Sequence, residues 1–305
     1  MEFRTLAEGL QFPEGPVALA DGSVLLVEIA AGTLTRIAPD GTKSIVAKTG
    51  GGPNGAAVGP DGKCYVANNG GFEWHREGGH IRPLVQAKDY SGGRLERVDL
   101  KTGAVECLYR ACGELPLKGP NDLVIDAQGG IYFTDLGKRR ARDMDVGAVY
   151  YARPDGSAIT EIAYPMVTPN GIGLSPDEKT LYVAETEAAR LWAFPIEAPG
   201  VLRKEPWPSP HGGRLVAGMG GYQRFDSLAV QADGRICVAT LVNGGITMIS
   251  PDGRHVEHHP MPDLMTTNIC FGGPDMKTAF ITLSWTGRLV AVEWPSPGLR
   301  LNQAG

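Results

Sequence analysis

The chain of 305 residues lacks long hydrophobic runs and any recognisable export signal. No stretch approaches the eighteen or so apolar residues that a membrane-spanning helix requires. The opening sequence, MEFRTLAEGLQF, has neither the basic region nor the apolar region of a secretory signal. These absences predict a cytoplasmic protein without a membrane partner.

Excess positive charge is also missing. The chain has 29 Lys and Arg residues against 34 Asp and Glu residues, a formal net charge of −5. This balance argues against nucleic acid as a partner, because phosphate-binding surfaces are basic. The nearest approach to a basic run, Lys138-Arg139-Arg140 with Arg142, is predicted to be a short solvated loop.

Cysteines are few and odd in number, at five, and Cys64 and Cys237 fall inside apolar strand patterns. We expect buried, reduced thiols rather than a disulfide framework. Long helical patterns are scarce as well, whereas 42 glycines and 23 prolines indicate many tight turns. This combination is typical of an all-β protein.

What the chain does contain is a sixfold repeat. Each copy begins with an oxygen-bearing side chain, turns about seven residues later, often at Asp-Gly, and ends after fourteen or fifteen residues. The six first residues, called anchors below, are Glu14, Asn54, Asn121, Asn170, Asp226 and Asn268. A second hairpin signal follows most copies, so each unit predicts four antiparallel strands. Such units, repeated every 40 to 67 residues, predict an all-β, six-bladed β-propeller with four-stranded antiparallel blades, formed as one domain by residues 1–305.

Three further segments complete this prediction. Phe3–Ala7 is expected to close the ring as an outer strand beside Arg288–Trp294, which removes a free sheet edge. Two loop insertions, about 69–92 and 205–222, are expected at the channel rim. The first lacks strand periodicity and carries Trp74 and His75, which favours a lid over the channel, although a surface loop packing its own aromatics is the alternative.

The anchors are the candidate site, since equivalent positions in every blade should meet at one end of the central channel. Two carboxylates and four carboxamides are oxygen donors of the kind that hard divalent cations prefer. Burying Glu14 and Asp226 together without a cation would be costly. The alternative is that the anchors only cap turns. We expect one divalent cation, calcium being favoured over magnesium, manganese or zinc.

Several motifs resemble those of one family. They are EGP at Glu14, GPNDLV around Asn121, PNGIGLSPDEKTLYVAET at Asn170 and FDSLAV around Asp226. Over essentially the whole chain, they resemble the regucalcin (senescence marker protein)/gluconolactonase/luciferin-regenerating enzyme family. YFTD at Tyr132–Asp135 and the Asp226-Ser227 pair are closest to its bacterial drug-responsive lactonase branch. The resemblance implies a six-bladed propeller with one divalent metal in the channel, held by Glu14, Asn121, Asn170 and Asp226.

Two differences from the family pattern limit which of the family's properties are expected in this chain. Many members have Asp-Gly where this chain has Asp226-Ser227, so Ser227 offers an additional hydroxyl. The animal branch has an arginine that contacts sugar two residues before the third-blade Asn, where this chain has Gly119. The sugar specificity of that branch is therefore not expected here.

The sequence thus predicts a metal-dependent lactonase that acts on a sugar-type or small organic lactone. Asp226 is the expected general base and a metal ligand, and Glu14 is expected to hold the metal. Substrate contacts are expected from Asn54, Asn121, Asn268, Trp74 and His75. The alternatives are a phosphotriester or fluorophosphate hydrolase on the same site and a non-catalytic calcium-binding propeller. A monomer or weak homodimer is expected.

Overall fold

The computed structural model describes residues 2–303. Its strands, in chain order, are β1 (Phe3–Ala7), β2 (Pro13–Ala18), β3 (Val24–Glu28), β4 (Thr33–Ile37), β5 (Lys43–Lys48), β6 (Pro53–Val58), β7 (Cys64–Asn68), β8 (Phe72–Glu77), β9 (His80–Gln86), β10 (Arg94–Val98), β11 (Val105–Tyr109), β12 (Ala111–Cys112), β13 (Leu115–Pro116), β14 (Pro120–Ile125), β15 (Ile131–Asp135), β16 (Gly147–Ala152), β17 (Ile159–Met166), β18 (Pro169–Leu174), β19 (Thr180–Glu185), β20 (Arg190–Ala198), β21 (Val201–Leu202), β22 (Arg214–Gly218), β23 (Arg224–Val230), β24 (Ile236–Leu241), β25 (Gly245–Ile249), β26 (Val256–Pro260), β27 (Thr266–Gly272), β28 (Thr278–Leu283) and β29 (Arg288–Glu293).

These strands form the predicted six antiparallel blades. From the innermost strand outwards, the blades are β2-β3-β4-β5, β6-β7-β10-β11, β14-β15-β16-β17, β18-β19-β20-β22, β23-β24-β25-β26 and β27-β28-β29-β1. They are called blades one to six below. The innermost strands of neighbouring blades contact one another in a closed ring, blade six meeting blade one. Within residues 2–303 the chain forms no helix, and so none that could cross a membrane.

The core lies between the blades. The second strand of a blade is covered on both faces by its neighbours, and β3, β7 and β15 are buried along their whole length. A strand covered on both faces carries a continuous apolar run rather than alternation, as Val24-Leu25-Leu26-Val27 shows. The five cysteines are free thiols, and Cys64 and Cys237 are buried, as expected.

Ring closure follows the prediction for the N-terminal strand. In β1, Phe3 pairs with Val292 and Arg4 pairs with Ala291 of β29, so the first and last strands share blade six. At the channel end away from the anchors, residues 297–303 cross between blades. Leu299 donates its N–H to the carbonyl of Val230, and the Gln303 side chain donates to the carbonyl of Ala18.

The two insertions differ in form from the prediction. Residues 72–86 are not an irregular loop but a two-stranded hairpin, in which His75 pairs with Arg82 and Glu77 with His80. The turn at Gly78-Gly79, with both glycines at positive φ, permits this hairpin. In the second segment, Arg214–Gly218 is the outer strand β22 of blade four, so only the residues before it are inserted.

Candidate active site

A local irregularity accompanies every anchor. The anchors lie inside the innermost strands, and in all six blades the pairing register with the second strand shifts at or next to the anchor. Such a bulge turns side chains away from strict alternation. The repeat pattern places each anchor ahead of its first strand, but in the structure each anchor follows the first residue of that strand by one or two positions, because pairing continues through the bulge.

The last residue of a repeat fixes the segment that leads to its anchor. The Glu28 carboxylate accepts a 2.8 Å hydrogen bond from the N–H of Gln11, three residues before Glu14. Asp135 similarly accepts the N–H groups of Lys118 and Gly119, each at 2.7 Å, just before Asn121. In blades one and three, a buried carboxylate at the end of the second strand therefore fixes the segment that enters the first strand.

Neighbouring inner strands approach closely beside the anchors. A Cβ on Gly55 would lie 2.4 Å from the carbonyl oxygen of Asn121, and one on Gly171 would lie 2.6 Å from that of Asp226. Only glycine permits this approach, because real Cβ contacts are longer. The close packing of neighbouring inner strands therefore sets the spacing between the anchors of successive blades.

Five anchors line one cavity of about 560 Å³, a volume within the usual range for small-molecule sites. They are Glu14, Asn54, Asn121, Asn170 and Asp226. The sixth, Asn268, does not line it. Its side-chain amide lies against Glu14, donating a 2.6 Å hydrogen bond to Oε2, and borders a second cavity further along the channel.

Burial dominates the electrostatics of this site. Glu14 and Asp226 are only 3% and 9% exposed, and burial raises the pKa of both carboxyl groups well above their usual values. The charge of Asp226 raises the pKa of Glu14 further. Neither carboxylate has an ion pair to a basic residue within residues 2–303. The two carboxyl groups are therefore buried near each other without a compensating basic side chain among residues 2–303.

The residues present suit a hard divalent cation. Asp226 accepts the Asn170 amide at 2.5 Å, and Glu14 accepts the N–H of Gly15 at 2.6 Å, so both carboxylates are held in place. Asn54 and Asn121 have no side-chain hydrogen bond to the described part of the protein. That part also contains no group of three or more His, Cys, Asp or Glu side chains arranged to hold a metal. A cation here would therefore need amide oxygens together with the two carboxylates, which is a donor set that Ca²⁺ accepts.

Asp122, which is not among the predicted site residues, adds a third buried carboxyl group. Burial raises its pKa to about 7, and its charge raises the pKa values of Glu14 and Asp226. It borders the second cavity, beyond the anchors. The signal was visible in GPNDLV, where an acidic side chain directly follows the Asn121 anchor.

Lys138 also differs from its prediction. It is 1% exposed rather than solvated, and its ammonium group donates to the carbonyls of Asn69 and Gly71 at 3.0 and 2.8 Å. It lies 3.8 Å from the centre of the Phe72 ring, at the base of the hairpin. The charged neighbours Arg139 and Arg140 concealed this burial, because the run as a whole is typical of a surface loop.

The hairpin reaches the cavity through residues other than those expected. Trp74 packs on Phe12 with ring centres 5.2 Å apart, and the His75 ring is paired with Glu77 at 3.1 Å. Neither Trp74 nor His75 lines the cavity, and Asn268 lies behind Glu14. The hairpin residues that do line it are Phe72, Arg82, Pro83, Leu84 and Val85.

Comparison with known proteins agrees with this architecture. The chain is 28% identical over 257 residues to lactonase drp35 of Staphylococcus haemolyticus, covering 84% of this chain and 71% of that protein. It is 27% identical to a gluconolactonase of Zymomonas mobilis, covering 92% and 78%. Among solved structures, a calcium-binding protein, regucalcin, from Agrobacterium tumefaciens superposes with a TM-score of 0.75 at 21% identity, covering 98% of each chain. This likeness supports the six-bladed fold. Residues 12–284 match the SMP-30/gluconolactonase/LRE-like region, and the chain belongs to that family.

Proposed function

We propose that this protein hydrolyses a lactone to its hydroxy acid, with a divalent cation bound among the anchors. The observation that carries the proposal is the convergence of Glu14 and Asp226, buried and without a basic partner in the described part of the chain, on a cavity open to a small molecule. The lactonase and gluconolactonase named among the relatives support the reaction type.

Glu14, Asn121, Asn170 and Asp226 would hold the cation through side-chain oxygens. Calcium is favoured because all donors are oxygens and two are carboxylates, with magnesium, manganese or zinc as alternatives. When bound, the cation would polarise the lactone carbonyl as a Lewis acid. Holding it would also offset the burial and the charge repulsion that raise the pKa of Glu14, so that the carboxylates stay ionised at neutral pH.

Asp226 is the group placed to move a proton. Its Oδ1 accepts the Asn170 amide, whereas its Oδ2 has no hydrogen-bond partner within residues 2–303. Oδ2 therefore remains available to accept a proton from the attacking water as a general base. The same proton would then pass to the ring oxygen when the C–O bond of the lactone breaks, which yields the hydroxyl and the carboxylic acid of the product. The carboxylic acid then releases the second proton of the water to solvent and becomes the carboxylate.

The other polar groups of the site orient the Glu14 carboxylate or are placed to bind the substrate. Asn268 and the N–H of Gly15 both donate to Oε2 of Glu14 and so fix the direction of its carboxylate. Asn54 and Asn121 line the cavity, and their amides have no hydrogen-bond partner among residues 2–303, which suits hydrogen bonding to a substrate carbonyl or hydroxyl. Phe12 and Phe72 line the cavity with apolar surface, which limits the water around the reacting groups.

The test is acid release from a panel of aldonolactones and simple γ- and δ-lactones, with calcium and with a chelator. We expect hydrolysis that the chelator abolishes and that added calcium restores. The absence of hydrolysis across the whole panel in calcium-saturated protein would contradict the proposal. Hydrolysis that a chelator leaves unchanged would contradict the assigned role of the cation.

A further inference from the structure

The wall of the cavity carries more positive charge than the protein neutralises. Four arginines line it: Arg82, Arg139, Arg140 and Arg224. Of these, Arg140 is fully paired, with Nη1 and Nη2 at 3.0 and 2.9 Å from the two oxygens of Asp145. The other three lie on the hairpin, on the segment after β15 and at the start of β23, so they approach the cavity from separate blades.

Two of these arginines share a single carboxylate. Arg224 Nη2 lies 3.1 Å from one oxygen of Glu187, and Arg139 Nη1 lies 3.9 Å from the other. The Nε of Arg224 is buried and has no hydrogen-bond partner within the described chain. Arg82 has no ion pair there and is exposed on β9. Counting Arg82, Arg139 and Arg224 against the one carboxylate of Glu187, two of these three positive charges have no carboxylate partner in the described chain.

The Arg224 and Glu187 positions are structurally fixed. The N–H of Glu187 donates a 2.9 Å hydrogen bond to the hydroxyl of Thr168, which has a positive φ of 51° and itself lines the cavity. Arg224 precedes Asp226 by two residues in β23, next to the proposed reaction centre. A guanidinium group held in this position is a fixed ligand-binding group rather than a freely moving surface charge.

Guanidinium groups bind planar anionic groups through paired N–H donors. We propose that the substrate is a lactone that carries a second, anionic group, a carboxylate or a phosphate, and that Arg224 and Arg139 bind this group. The inference rests on the proposed lactone hydrolysis and narrows its substrate class. The apolar residues Leu84, Met144 and Met265 of the same wall then contact the carbon skeleton between the lactone ring and the anion.

The test compares matched pairs of lactones that differ in charge. One pair is γ-carboxy-γ-butyrolactone and its carboxamide, and the other is the phosphate ester of glucono-δ-lactone and glucono-δ-lactone itself. We expect kcat/KM to favour the anionic member of at least one pair by on the order of 10-fold, the size expected for a hydrogen bond to a charged group. The pair with the larger preference identifies the carboxylate or the phosphate as the group recognised.

Variants separate recognition from a structural role. Arg224→Gln should lower the anionic-to-neutral ratio by on the order of 10-fold, Arg224→Lys should retain part of it, and Arg139→Gln should lower it less. Arg203→Gln, at an exposed position outside the cavity, should keep the wild-type ratio. Each result is the ratio of two kcat/KM values measured on the same variant. A loss of bound cation or of folded protein lowers both values by the same factor and leaves the ratio unchanged.

The outcomes distinguish failure of the substrate inference from failure of the proposed lactone hydrolysis. If some lactone is hydrolysed but neither pair shows a preference for its anionic member, the substrate inference is overturned and lactone hydrolysis stands. A wild-type preference that Arg224→Gln and Arg139→Gln both leave unchanged also overturns it. If no lactone at all is hydrolysed, the proposed function fails, and this inference fails with it.

Discussion

Asn268 donates a 2.6 Å hydrogen bond to Oε2 of Glu14, although 254 residues separate them in sequence. The two residues belong to the innermost strands of blades six and one, so this bond crosses the junction where the ring closes. Asn170 and Asp226 form the corresponding bond between blades four and five. In each case the amide of one blade orients the carboxylate of the next.

The Asn268 contact predicts an effect on cation affinity. Asn268→Ala should weaken calcium binding by about 10-fold, because removing the partner that orients a ligand typically costs that much or more. Titration calorimetry of chelator-treated protein measures this. Asn243→Ala, at an exposed turn position, serves as the control and should bind like wild type. Equal affinity in Asn268→Ala would show that the orientation of Glu14 does not depend on this bond.

Removing the general base should affect turnover more than binding. For Asp226→Asn, kcat at saturating calcium should fall by at least about 100-fold, the usual size of a general-base contribution. The metal content must be measured in parallel, since Asp226 is also a proposed ligand. A variant that retains bound calcium and the wild-type kcat would remove Asp226 from both roles.

Lys138 predicts a pH dependence of stability. Burial lowers its pKa from the usual 10.5 to about 7. Between about pH 7 and pH 10, the unfolded chain therefore binds a proton that the folded protein lacks, and the free energy of unfolding should rise with pH through this window. The contribution is on the order of a few kcal/mol, at about 1.4 kcal/mol per pKa unit.

This contribution is isolated by comparing wild type with Lys138→Met in urea unfolding at several pH values. The stability difference between the two should change across the window, whereas the difference between wild type and Lys101→Met, an exposed site, should not. A constant difference for Lys138→Met would mean that the ammonium group stays charged throughout. Its three acceptor contacts with Asn69 and Gly71 would then outweigh its burial.

The close approach at Gly55 predicts a coupled loss of stability and activity. A Cβ there would meet the Asn121 carbonyl oxygen at 2.4 Å, so Gly55→Ala should destabilise the fold by about 1–3 kcal/mol and displace the neighbouring anchor. Thermal unfolding and lactone turnover measure the two effects. Gly220→Ala, where the added carbon meets nothing within 4 Å, should change neither. An unaffected Gly55→Ala variant would contradict the argument from inner-strand packing.

The sequence by itself determined the number of blades, the strand order within them and the closing strand. These features follow from short-range preferences, namely apolar runs of strand length, Asp-Gly turns and an oxygen-bearing side chain at a constant phase. Such signals do not depend on which residues meet in space, so six repeats could be counted without a structure.

Tertiary structure decided which side chains share the cavity. Asn268 has the same phase as the other anchors but lies behind Glu14, and Trp74 packs on Phe12 while Arg82 and Leu84 of the same hairpin reach the cavity wall. Lys138 is buried although its neighbours are charged, and Arg224 and Arg139, from different blades, share the carboxylate of Glu187. The physical reason is that bulges, ring closure and the docking of the hairpin set the side-chain directions, and these depend on contacts between residues far apart in the chain.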